Sequence, residues 1–149
     1  MLPWTEVDAV YRRLRPDLLR LANLLTGSES MAEDVVHDAF LGFARHATTV
    51  DNPDGYLRTS VVNLSRTAHR RRGRAERLTP ERVTTTSIPE VDETWAALRR
   101  LPERQRAALV LRFYEDLSFD AVGELLGCPA ATARSLAHRG LARLKETLR

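Results

Sequence analysis

Apolar residues recur along this chain every three or four positions and show no strand-like alternation, which predicts an all-α protein. Residues 5 to 26 set Val7, Val10, Tyr11, Leu14, Leu18, Leu21 and Leu25 on one stripe and stop before Gly27, a natural helix terminator. The next helix is predicted to open on "SMAE", a capping box of Ser30 and Glu33, and to bury Ala32, Val36, Ala39, Phe40 and Phe43. Asp34, His37, Asp38 and Leu41 then face outward. A third helix starts near Pro53 and buries Leu57, Val61, Leu64 and Ala68, which leaves Arg58, Asn63, Arg66, Thr67 and Arg70 on its open side before "RRRGR".

The helical pattern lapses in "TPERVTTTSIPEVDET", residues 79 to 94, where threonine, serine and two prolines carry no apolar period. This reads as a linker, so two small helical domains are expected, at about 1–75 and 95–149, with 76–94 between them. The second domain has four predicted segments, at 92–100, 103–115, 118–126 and 130–147. Ser118 can cap the third, whose Phe119, Val122, Leu125 and Leu126 form an apolar edge, and Gly127 ends it. Pro129 suits the first turn of the last helix. Two helices joined by about three residues including a glycine are the signature of a helix-turn-helix.

Charge sharpens this division. The net charge of +3 is small, but residues 1–57 carry five basic against nine acidic side chains, while 58–82 carry eight against two. Residues 83–98 carry none against three, and 134–149 five against one. Two separate basic patches point to a polyanion bound at two places, and the acidic surface is left for another partner. The single cysteine, Cys128, allows no internal disulfide, and His37, His46, His69 and His138 are too scattered for a usual zinc spacing. Neither a metal nor a cofactor is expected. No apolar run is long enough to span a membrane and the N-terminus does not resemble an export signal, so a cytoplasmic protein with no membrane partner is expected.

The last helix carries the clearest chemistry. From Pro129 to Lys145 it has three arginines, a lysine and a histidine without one acidic residue. At 100° per residue Ala133, Ala137, Leu141, Leu144 and Leu148 fall on one side, and Ala131, Arg134, Ser135, His138, Arg139, Ala142 and Lys145 on the other. The second helix of a helix-turn-helix enters the major groove N-terminal end first, where arginine can bond guanine edges while serine and alanine permit close approach. Arg143 and Lys145 lie later, where phosphates are the expected contacts. His138 reads as a surface histidine before it reads as a base contact.

Two stretches resemble a known family. "LRRLPERQRAALVLRFYEDLSFDAVGELLGCPAATARSLAHRGLARLK" resembles region 4 of the extracytoplasmic-function sigma factors of bacterial RNA polymerase. "LLRLANLLTGSESMAEDVVHDAFLGFARH" with "YLRTSVVNLSRTAHRRRGR" resembles their region 2, in the family's order and covering nearly the whole chain. The resemblance implies that Glu33, Asp34, His37, Asp38 and Leu41 dock on the clamp helices of the polymerase's largest subunit, with the polymerase flap a further contact. It implies minus-10 recognition and melting by residues 50–55, Asn63, Arg58, Arg66, Arg70 and Arg71, with Tyr56 the nearby aromatic, although a place in the core suits Tyr56 at least as well. Minus-35 binding would fall to Ala131, Thr132, Arg134, Ser135, His138, Arg139 and Lys145, with Arg112 helping to hold the phosphate backbone. Many members of the family are held by an anti-sigma factor, and a free monomer is expected.

His37 stands where the family commonly has glutamine, and Leu136 and Ala137 replace a usually longer pair. A free-standing dimeric helix-turn-helix regulator is the competing reading, but it leaves the acidic face and one basic patch without a role. An enzyme is not expected, because the candidate acids and bases are spaced along a helix surface and no catalytic residue, phosphate-cradling loop or nucleophile motif appears.

Overall fold

A computed structural model describes residues 4–78 and 93–148. Its contacts divide the chain into two compact units, Met1–Val83 and Thr84–Arg149. Among the described residues all regular structure is helical.

The first unit contains α1 (Trp4–Thr26), α2 (Glu29–His46), a 3₁₀ turn (Ala47–Thr49) and α3 (Pro53–Leu78). Each of the three long helices packs against the other two. Leu14, Leu18, Leu21 and Leu25 of α1 meet Val35, Val36, Phe40 and Phe43 of α2 and Leu57 and Val61 of α3 in one core. Phe43, Leu18, Leu21 and Leu57 are fully buried, and each contributes about 1.5–3 kcal/mol by leaving water. Leu64 and Ala68 are only half-buried. Val62 and Ser65 are buried on α3 instead, so its inward stripe is rotated from the one expected.

The start of α2 also differs from expectation. Gly27 adopts a left-handed φ of 68°, closing α1 through a bond from its N–H to the Asn23 carbonyl at 2.9 Å. The chain has therefore already reversed at Ser28, which is extended and accepts a bond from the Met31 N–H at 3.3 Å. Ser28 is the cap. Ser30 falls inside the first turn, and the Ser30–Glu33 box does not form. At its other end α3 continues to Leu78, past the point where the linker was expected to begin. Of the rest of that linker, residues 79–92 lie outside the described residues, and residues 93–94 form the start of the next helix.

The second unit contains α4 (Glu93–Arg100), α5 (Glu103–Leu109) running into a π-helical turn (Val110–Tyr114), α6 (Phe119–Leu126) and α7 (Ala130–Thr147). The last helix packs on α4, α5 and α6. Its buried side is Ala133, Leu136, Ala137 and Gly140, whereas Leu141 and Leu144 are half-buried and Leu148 is exposed. Close approach explains the shift. A Cβ on Gly140 would stand 3.0 Å from Leu109 Cδ1 and 3.3 Å from the Gln105 carbonyl, so the α5–α7 crossing runs over the glycine rather than over the leucines beyond it. Arg106 is enclosed in the same unit and donates to the Arg99 carbonyl at 3.3 Å. Desolvation lowers its pKa, with Glu103 opposing the shift and Arg99 adding to it.

Candidate nucleic-acid interface

The helix-turn-helix is built by three local devices. Ser118 is extended and its hydroxyl accepts from the Ala121 N–H at 3.2 Å, which starts α6. Gly127 ends α6 in the left-handed region with φ 70°, and the Cys128 N–H bonds to the Gly123 carbonyl at 2.9 Å. Pro129 is the residue before α7, which has the expected bounds of 130–147. Its carbonyl receives the first helical bond, from the Ala133 N–H at 3.0 Å. The turn then folds tightly over α6. A Cβ on Gly123 would meet the Cys128 carbonyl oxygen at 2.5 Å.

This geometry presents one continuous face of α7. Ala131, Arg134, Ser135, His138, Arg139, Ala142, Arg143 and Lys145 are all exposed, and Thr132 is half-buried beside them. Small residues near the N-terminal end flank the arginines, so a flat surface could approach closely, while Arg143 and Lys145 stand about two and a half and three turns beyond Arg134. Arg112 is placed differently from the other expected contacts. It donates through Nη1 to the Leu117 carbonyl at 3.4 Å, lies 3.6 Å from the Asp116 carboxylate, and sits over the rings of Phe113 and Phe119. Its guanidinium braces the turn between α5 and α6. Asp116 holds a left-handed φ of 57° in that turn, a conformation aspartate tolerates better than most side chains.

In the first unit, Asn63, Thr67, Arg70 and Arg71 are exposed on α3 and Arg66 is half-buried. Arg58 is bound to Asp54 at 3.0 Å, and Arg72 turns back toward α2, where it donates to the Met31 sulfur at 3.1 Å. The Thr67 hydroxyl donates to the Asn63 backbone carbonyl at 3.1 Å, and Asn63 itself is exposed. Among residues 50–55, Asn52 accepts from the Gly55 N–H at 3.2 Å and sets the start of α3. Tyr56 is half-buried, with its ring 6.1 Å from that of Phe43 and its hydroxyl near Gly42. It is positioned chiefly by packing on α2.

On α2, Glu33, Asp34, His37, Asp38 and Leu41 are all exposed, opposite the buried Val36, Ala39, Phe40 and Phe43. Three carboxylates and a histidine thus precede an exposed leucine along one face, a charged surface suited to a protein partner of opposite sign. Two features were not legible in the sequence. Phe113 and Tyr114 are exposed because the π turn rotates them off the helical register, and periodicity at 100° cannot show such a slip. Phe119 lies beside Arg134, fifteen positions away in the chain, and spacing carries no signal for that meeting.

Comparison with known proteins matches residues 10–75 to the sigma-70 region 2 family and residues 92–144 to the family described as sigma-70, region 4. The RNA polymerase sigma-E factor of Streptomyces coelicolor is 33% identical over 149 residues, covering 93% of this chain and 84% of that protein. The ECF RNA polymerase sigma factor SigE of Mycolicibacterium smegmatis is 32% identical over 157 residues, and the match spans 95% of this chain but 61% of that longer protein. Among solved structures, the sigma factor RpoE of Bartonella quintana, in complex with the anti-sigma factor NepR, has the same fold with a TM-score of 0.74. The match is 22% identical and covers 96% of each chain.

Proposed function

Because the chain belongs to the sigma-70 family of RNA polymerase sigma factors, in its extracytoplasmic-function branch, we propose that it binds core polymerase and directs promoter-specific initiation of transcription. The observation that carries this reading is the coexistence, in one chain, of an exposed acidic face on α2 and, on the second helix of a helix-turn-helix, an exposed basic face that carries no acid from Ala130 to Lys145. The first suits a protein and the second a duplex. A dimeric regulator would need only the second.

In this reading Glu33, Asp34, His37, Asp38 and Leu41 dock on the clamp helices of the largest subunit. Asn63, Arg66, Arg70 and Arg71 face the minus-10 element, the cations neutralising phosphates while the amide is available to an unpaired base. Arg134, Ser135 and Arg139 face base edges of the minus-35 element, with Ala131, Thr132 and His138 beside them and Lys145 on phosphate. Arg58 and Arg112 act mainly through their intramolecular partners. The chemistry of RNA synthesis belongs to the polymerase, and this chain supplies selection. An anti-sigma factor, as seen with the Bartonella relative, is a fitting external control. None of the described helices is long and apolar enough to cross a membrane.

Two variants separate the surfaces. Asp34→Lys combined with Asp38→Lys should lower affinity for core polymerase at least about tenfold, since like-charge juxtaposition costs several kcal/mol, and should leave the base preference of α7 unchanged. Titration of labelled protein with core polymerase measures this. Undiminished binding by the double variant would contradict the docking assignment.

A further inference from the structure

A chain of contacts links the turn before α6 to the exposed face of α7. Arg112 is tied to that turn through the Leu117 carbonyl and the Asp116 carboxylate. Its guanidinium carbon lies 5.4 Å from the centre of the Phe119 ring. The guanidinium carbon of Arg134 lies 5.3 Å from the centre of the same ring. Phe119 is the first residue of α6, where the Ser118 cap fixes its backbone, and its side chain is half-buried.

An aromatic face attracts a cation through its quadrupole, and a guanidinium held near a ring has fewer rotamers to lose when it makes a bidentate bond. Two cations near one ring repel each other unless one is compensated. Asp116 compensates Arg112, while among the described residues no carboxylate pairs with Arg134. The ring therefore holds a cation whose donors remain available to a ligand.

We infer that Phe119 is a positioning residue for Arg134: its ring orients the guanidinium for the minus-35 duplex without itself touching DNA, and Arg112 braces the ring against the turn. This inference rests on the reading of α7 as the duplex-binding helix. Phe119 would then tune promoter discrimination at one base position.

The test uses holoenzyme reconstituted from core polymerase and the full chain, bound to a pool of promoter duplexes randomised over the upstream element, with the bound fraction sequenced. The Arg134→Ala variant identifies the base position that Arg134 reads. Phe119→Leu should weaken preference at that position about two- to fivefold, the size of an exposed cation–π contact, and Phe119→Tyr should restore it. In the Arg134→Ala background Phe119→Leu should change nothing further. Should Phe119→Leu unfold, Phe119→Met takes its place. An unchanged preference in a folded Phe119→Leu protein, or an equal loss with and without Arg134, would overturn the positioning role while leaving the helix assignment intact. If Arg134→Ala itself alters no preference, the assignment of α7 falls and the inference with it.

Discussion

Arg134 and Lys145 occupy the same exposed face of α7, yet they should fail differently when removed. Arg134→Ala should weaken the cognate minus-35 duplex about 5- to 150-fold, corresponding to about 1–3 kcal/mol for a bidentate base contact, and should relax selection at one position. Lys145→Ala should weaken all duplexes alike and reduce the slope of log affinity against log salt by about one. Binding titrations over a salt series, with matched and scrambled duplexes, distinguish the two. The exposure of these residues was legible in the sequence because a regular helix obeys a 100° rule from end to end. The pairing of Arg58 with Asp54 was also within reach, at a spacing of four. The inward turn of Arg112 was not, because its partners lie in a left-handed turn and on a neighbouring helix.

At the scale of elements, the helix-turn-helix rests on short-range chemistry, and its Ser118 cap and Gly127 stop were expected from residue type alone. Ser118→Ala should cost about 1 kcal/mol, or about 4–8 °C in the melting temperature of a unit of this size. Gly123→Ala is the more informative change. Alanine is normally the better helix former, but here its Cβ would stand 2.5 Å from a backbone oxygen of the turn, so thermal unfolding should move downward. An unchanged or higher melting temperature would mean that the turn relaxes freely. The misplaced cap of α2 has an equally local cause. Ser28 and Ser30 are both competent caps, and the left-handed Gly27 decides between them by reversing the chain first. The rotated core stripes of α3 and α7 have a different cause, because they depend on which helix lies opposite, and one helix's sequence does not state that.

At the scale of the whole molecule, charge is segregated by helix. Acidic residues gather on α2 and basic ones on α3 and α7, so one chain can hold a protein and a polyanion without one surface serving both. That division was visible in the linear sequence because each surface is carried by a single helix. Run-off transcription tests it most directly: the purified protein is added to core polymerase freed of other sigma factors, with genomic fragments as templates. Co-elution with the core is expected, together with transcripts that start at discrete sites sharing two upstream elements. Transcripts should be lost with the Asp34→Lys/Asp38→Lys variant and redistributed among promoters with Arg134→Ala. Binding to DNA without the polymerase, together with no transcripts above those of core alone, would contradict the proposed function.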